Sequence, residues 1–272
     1  MRAAATPPGT VAPEGRPAAP TVVLEGPTDK GVWTLFMQRA SKAGGPVDNT
    51  FTPGFVEEIR SSFRRVRDWA ATSPSCALVL ASTGKFFSNG HDLDWLNSAG
   101  RRDQEEFIDS FYDLLAEVLS ASFPVVAAVN GHAFAGGLLL ALCADYRVFR
   151  GDRGFLCMNE VDMKPDPGEA APGRFAHADR KLMAIIHYKA PHEDRAHMLR
   201  TMILEGQRFA GPDALRSGLV DRLAEESRVL LEAQELAAQW ASKASVTYGV
   251  LKQELAHNPL EAFRLRTATS RL

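Results

Sequence analysis

Three features of the chain predict an α/β fold with a helical C-terminal part. Short apolar runs of strand length alternate with longer amphipathic stretches as far as Glu160. Two of these runs, residues 76–81 and 124–129, are apolar almost throughout, as strands buried on both faces of a sheet are. Beyond Asp179 the pattern is helical alone. Strands alternating with helices imply layers joined by right-handed crossovers.

Residues 22–25 and 32–37 read as strands around the turn Gly26-Pro27-Thr28-Asp29, a hairpin opening the fold. Residues 40–49 read as loop, broken by Gly44-Gly45-Pro46. Thr52-Pro53 is a cap followed by a first-turn proline, and Phe55, Val56, Ile59, Phe63, Val66 and Trp69 recur at helical spacing. After the strand at 76–81, residues 82–90 are loop and 92–97 one or two helical turns. Phe107, Phe111, Leu114, Leu115, Val118 and Leu119 predict an amphipathic helix over 107–119. The strand at 124–129 leads through a glycine turn to an apolar helix over 136–143, then strands over 146–149 and 155–158. Helices are expected over 181–187, 191–203, 212–217, 229–244, 247–257 and 260–267. The expected division is a disordered Ala/Pro-rich arm (1–20), a core (21–205) and a helical C-terminal part (206–272).

The 272 residues suffice for a large buried core. Apolar residues at 45% and charged residues at 24% lie in the soluble globular range, and a net charge of −2 argues against a nucleic-acid partner. No apolar run reaches bilayer length, so no membrane association is expected. Cys76, Cys143 and Cys157 stand far apart in apolar strings, which predicts buried thiols in a reducing compartment rather than disulfides or a zinc site. His187, His192 and His197, with Pro191 among them, do not stack on one helix face, and no metal is expected. The terminal Ser270-Arg271-Leu272 is a conservative variant of the Ser-Lys-Leu address. It predicts an import receptor as partner and the peroxisomal matrix as location; a frayed polar helix end is the alternative.

Two stretches carry the chemistry. Phe155-Leu156-Cys157-Met158-Asn159-Glu160-Val161 sets one carboxylate among apolar neighbours, where desolvation makes it a stronger base. Asn130-Gly131-His132-Ala133-Phe134-Ala135-Gly136-Gly137 is a glycine turn opening a helix, and such a turn offers unpaired backbone N–H groups to a developing negative charge. A base and an oxyanion site are the minimum for moving a proton next to a carbonyl. Taken alone, Glu160 also fits a surface or capping residue, and Gly136-Gly137 a packing feature.

With these residues the chain resembles the crotonase superfamily, the enoyl-CoA hydratase/isomerase family. The likeness is carried by ASTGKFFSNGHDL (81–93), PVVAAVNGHAFAGGLLLALCA (124–144), residues 145–160, and EGQRFAGPDALRSGLVDRL (205–223). It looks closest to the plant-type peroxisomal Δ3,Δ2-enoyl-CoA isomerase branch. The resemblance implies a crotonase-like ββα spiral core and a homotrimer or hexamer, with residues 206–272 as its trimerisation region. It also implies an acyl-CoA substrate, with no cofactor beyond the CoA which that substrate carries. It makes His91 and Gly136 the donors of two oxyanion N–H groups and Glu160 the base. Ser88, Asn89, Gly90, Asp92, Leu93, Phe134, Gly137 and Leu139 would line the substrate site, although Asp92 reads equally as a helix cap. Leu139 stands where hydratases carry a second glutamate. Lys85 would meet a CoA phosphate or stay solvated.

Residues 164–178 depart from the family pattern. Three prolines and two glycines oppose a continuous helix there, and Asp166 and Glu169 offer an alternative second carboxylate. The expected reaction is conversion of a 3-enoyl-CoA to a 2-trans-enoyl-CoA in fatty acid β-oxidation. The alternatives are another crotonase reaction (hydratase, dienoyl isomerase or hydrolase) or a non-catalytic acyl-CoA-binding subunit.

Overall fold

The computed structural model of the chain describes residues 21–41, 45–162, 178–189 and 195–265. The N-terminal arm, the terminal Ser270-Arg271-Leu272, His192, Asp166, Glu169 and nearly all of the divergent segment lie outside the described residues.

Two sheets form the framework. The larger has six strands in the order β1 (Val22–Glu25), β2 (Val32–Met37), β3 (Ala77–Ser82), β5 (Val125–Val129), β7 (Tyr146–Arg150) and β9 (Arg222–Ala224). Only the opening hairpin is antiparallel; every other pair is parallel. The smaller sheet is parallel, with β6 (His132–Phe134) between β4 (Phe86–Ser88) and β8 (Leu156–Cys157).

The period-two alternation of the large sheet feeds two cores. Trp33, Leu35, Leu78, Leu80, Val125, Ala127 and Val129 point into the larger one. That core is filled by α1 (Pro53–Ala70), α3 (Arg101–Leu119) and α4 (Gly136–Cys143). Ala77, Val79, Ala81, Val126, Ala128 and Val148 point the other way, onto Val229, Ala233, Leu236 and Ala237 of α8 (Val229–Trp240). The second layer is rich in alanine, so α8 lies close against the strands. Residues on both sides of position 205 share this sheet.

Local chemistry explains the element ends. The Thr52 hydroxyl accepts from the Phe55 N–H at 3.3 Å and Pro53 opens α1, as expected. Helix α3 begins at Arg101, earlier than the apolar spacing indicates. Its first turns are held by the exposed pairs Arg101–Glu105 and Arg102–Glu106, which carry no hydrophobic signal.

The expectation that the chain beyond Asp179 is helical alone needs correction. Helices α5 (Ala178–Lys189), α6 (Arg195–Leu199), α7 (Gly211–Arg216), α9 (Val246–Leu255) and α10 (His257–Arg264) are present, but β9 adds an edge strand to the main sheet. It spans three residues and starts at an exposed arginine, too short and polar to read as a strand. Strands β4 and β6 likewise fall in stretches expected to be loop and turn.

Candidate active site

The small sheet gathers the expected site residues. Ser88 pairs with Ala133, Ala133 with Leu156, and Phe134 with Cys157, all in parallel register. Phe87, Ala133 and Leu156 are buried, while Phe86, His132 and Phe134 form a half-exposed aromatic face with ring centroids 5.1–5.9 Å apart. Because all three strands run the same way, their C-terminal ends share one edge. His91 follows the end of β4, Gly136 that of β6 and Glu160 that of β8. Residues from three distant parts of the chain thus leave the same side of one sheet.

The first N–H is aimed by a bridge on its far side. Phe51 bridges His91 in parallel fashion: the Phe51 N–H donates to the Gly90 carbonyl at 2.8 Å, and the Asp92 N–H to the Phe51 carbonyl at 2.9 Å. In a parallel bridge the middle residue of the bonded trio turns its own N–H and C=O the other way. The His91 N–H therefore points away from Phe51 and, among the described residues, has no acceptor. Gly90 makes this turn possible. Its φ of +85° suits glycine, and a Cβ there would lie 3.1 Å from the Phe134 carbonyl oxygen and 3.5 Å from the Gly136 nitrogen. The His91 and Gly136 loops are in contact through this position.

The second N–H is set by a strained residue. Ala135 has φ 47° and ψ −120°, a region L-residues rarely occupy, at a cost of about 1–3 kcal/mol. The strand is fixed on the upstream side by the Ala135 N–H donating to the Cys157 carbonyl at 2.9 Å. The kink starts α4 at Gly136, whose N–H is among the first of the helix and has no intrahelical acceptor. All eight residues of α4 are buried, so the positive end of the helix acts in a dry setting.

The His91 imidazole is packed edgewise against Phe107 and Phe111 at centroid distances of 5.3 and 4.6 Å, with Phe51 at 6.2 Å. Burial pushes its pKa down to about 4, so the ring is neutral near pH 7. Its Nε2 is buried without a hydrogen-bond partner, 3.5 Å from where a Gly136 Cβ would stand.

Glu160 opens a 3₁₀ turn, Glu160–Asp162, and is half-buried after the fully buried Met158. The turn is backed by Gly206, at a φ of +59°, where a Cβ would lie 3.1 Å from the Val161 side chain and 3.2 Å from the Asp162 carboxylate. The Cys157 thiol donates to the Gly206 carbonyl at 3.3 Å. Desolvation raises the Cys157 pKa, and the charges of Glu160 and Asp162 add to the rise.

Other expected site residues are committed within the protein. The Ser88 hydroxyl donates to the Asn49 carbonyl at 2.7 Å and accepts from the Gly90 N–H at 3.2 Å. The Asp92 carboxylate caps α2 (Leu93–Ser98) through the Trp95 N–H at 3.0 Å and pairs with Arg39 at 2.9 Å. Gly137 serves close packing, since a Cβ would run into the Ser88 carbonyl oxygen. Leu139 is buried in the core, and the first turn of α4 holds no acid. Asn89 and Leu93 are exposed at the loop surface, and Phe134 lies half-buried with the Arg208 guanidinium 6.0 Å from its ring.

Sequence reasoning missed Ala135, Arg39 and Asn49. Nothing in the identity of an alanine announces a positive φ. Asn49 lies in a stretch that reads only as loop, and Arg39 falls between that loop and the preceding strand, in neither. Among the described residues no cluster of three or more His, Cys, Asp or Glu suits a metal ion, and no helix is long and apolar enough to cross a membrane.

The sequence profile described as "Enoyl-CoA hydratase/isomerase" matches residues 31–162, a span that includes His91, Gly136 and Glu160. "Enoyl-CoA delta isomerase 2, peroxisomal" of Arabidopsis thaliana is 32% identical over 206 residues, covering 73% of this chain and 79% of the relative. "Enoyl-CoA delta isomerase 3" of the same plant is 33% identical, covering 67% and 71%. The crystal structure of human mitochondrial delta3-delta2-enoyl-CoA isomerase superposes with a TM-score of 0.70 at 20% identity, covering 92% of this chain and 93% of that one. At that identity the likeness speaks for the fold, which is the crotonase fold. With profile, relatives and fold in agreement, the chain belongs to the enoyl-CoA hydratase/isomerase family.

Proposed function

We propose that the chain is a Δ3,Δ2-enoyl-CoA isomerase acting on unsaturated fatty acyl-CoA thioesters by a single-carboxylate proton shuttle. The observation that carries the reading is the parallel register of β4, β6 and β8. It sends two unpaired N–H groups and one carboxylate from a single sheet edge, while α4 supplies no second acid. The names of the Arabidopsis relatives support the same reaction.

A thioester α-proton is weakly acidic, so its removal requires stabilisation of the enolate oxygen. The His91 and Gly136 N–H groups would receive that oxygen, each worth about 2.7–4 kcal/mol in a dry site. Glu160 would take a proton from C2 of the 3-enoyl-CoA. The electrons pass into a flat dienolate, and the same carboxylic acid returns the proton to C4. One base serves both carbons because both lie on one face of the dienolate. Water addition needs a further acid or base to activate the water, and Leu139 occupies the α4 position from which one would reach. The reaction is a proton transfer and asks for no cofactor beyond the CoA of the substrate.

The relative named peroxisomal, together with Ser270-Arg271-Leu272, supports a matrix location. Import of the chain with and without that tripeptide would decide it. The exposed Val246, Val250, Leu251 and Leu255 of α9 support assembly into a trimer or hexamer, which light scattering of the purified chain tests. For the reaction itself, wild-type protein mixed with 3-trans-hexenoyl-CoA should raise the ultraviolet absorbance of the conjugated 2-enoyl thioester. A folded protein that binds CoA yet gives no rise contradicts the reading.

A further inference from the structure

Arg39 and residues 48–51 are fastened along the His91 loop far more tightly than a connecting loop requires. Asn49 is fully buried with a φ of 53°, a left-handed conformation that asparagine tolerates better than most residues. Its side chain is used completely. The Oδ1 accepts from the Arg39 N–H at 2.8 Å, and the Nδ2 donates to the carbonyls of Thr83 at 3.3 Å and Phe86 at 3.1 Å. These two carbonyls flank the entry to β4. The Asn49 N–H returns to the Arg39 carbonyl at 2.9 Å, and its own carbonyl receives the Ser88 hydroxyl at 2.7 Å.

The contacts continue residue by residue. The Asn89 N–H donates to the Asp48 carbonyl at 3.0 Å, and Phe51 then bridges Gly90 and Asp92. Arg39 closes the far end with its planar fork. One guanidinium nitrogen donates to the Thr50 carbonyl at 2.8 Å and to the Thr50 hydroxyl, and the other to the Asp92 carboxylate at 2.9 Å. Every residue from Ser88 to Asp92 except His91 is held by this segment or by the Ser88 hydroxyl. The His91 N–H is left over, and it faces the opposite way.

From this geometry we infer that Arg39 and Asn49 are positioning residues, which fix the direction of the His91 N–H through a clamp of residues 48–51 on residues 88–92. The inference rests on the isomerase reading for its kinetic consequence but not for its structural one. Arg39 spans Thr50 and Asp92 with two nitrogens, and a lysine cannot reproduce both contacts. Aspartate at position 49 keeps the size but turns the Nδ2 donor into an acceptor facing two carbonyl oxygens.

The test uses Arg39→Met, Arg39→Lys and Asn49→Asp in the full chain. Turnover of 3-trans-hexenoyl-CoA is measured together with hydrogen–deuterium exchange of peptides covering residues 86–96 and, as a control, α1. For Arg39→Met and Asn49→Asp we expect kcat to fall between about tenfold and about a hundredfold, as displacing an oriented group does, with KM little changed. Arg39→Lys should lie between Arg39→Met and wild type. Exchange should rise in the 86–96 peptides and stay constant in α1. Folded variants with wild-type kcat and wild-type exchange overturn the inference, as does faster exchange spread evenly over α1 and the loop. If wild type itself shows no turnover, the isomerase reading falls, and the exchange pattern alone still decides for or against the clamp.

Discussion

His91 contributes to the proposed chemistry with its backbone, while its imidazole fills the aromatic space among Phe51, Phe107 and Phe111. Only the neutral ring fits there, and this has a pH signature. Burial lowers the imidazole from 6.5 to about 4, so between those values the unfolded chain binds the extra proton. Stability should therefore fall as pH drops from 6.5 to 4, by roughly 2–4 kcal/mol in total. Urea unfolding at several pH values checks the slope, and His91→Phe should flatten it; an unchanged slope in the variant would assign it to other groups. At this scale the sequence was partly legible. Glu160, Gly136 and Gly90 stand out because a carboxylate after an apolar strand and glycines at a turn are written in residue type. The strain at Ala135 is not, because it is imposed by the Ala135–Cys157 hydrogen bond and the burial of α4. Asp92 was legible as a cap, and its carboxylate is used as one.

The elements divide by length. Helix α1 and strands β3 and β5 are long enough for apolar periodicity to define them, and they form where that periodicity places them. Strand β8 falls within the stretch 155–158 expected as a strand, but β4 and β6 have three residues each and exist because neighbours pair with them. Such strands belong to the tertiary structure before they belong to the sequence, yet they are the ones that assemble the site. The same holds for α8. Its amphipathicity predicts a helix but not that its alanine-rich face meets Ala77, Ala81 and Ala128. Close packing there leaves no room for volume. Ala233→Leu, at a fully buried position, should destabilise the protein by about 1–3 kcal/mol in denaturant unfolding. A neutral result would mean that the α8–sheet layer is looser than its alanines indicate.

At the scale of the whole molecule, α9 is tied to the large sheet just past the C-terminal end of α4, the helix that Gly136 opens. Lys252 of α9 is buried and donates to the Asp145 carboxylate at 2.7 Å, which also accepts the Val125 N–H at 2.8 Å. Asp145 and Val125 lie at the starts of β7 and β5, whereas Glu160 and Gly136 lie past the ends of β8 and β6. Lys252→Met leaves the partly buried Asp145 carboxylate without its cation and should cost about 1–3 kcal/mol of stability. If the fold tolerates the change, the proposed site should keep its geometry, so residual folded protein should turn over normally. Loss of stability below about 1 kcal/mol would show that Asp145 is satisfied without Lys252.

The proposed isomerisation depends most on Glu160 as the one base. Replacing it with glutamine keeps the size and removes the proton acceptor. With 3-trans-hexenoyl-CoA, Glu160→Gln should lose on the order of 10²–10⁴-fold in kcat while binding the thioester as wild type does. A Glu160→Gln protein that binds the thioester and turns it over at the wild-type rate would contradict the single-carboxylate shuttle.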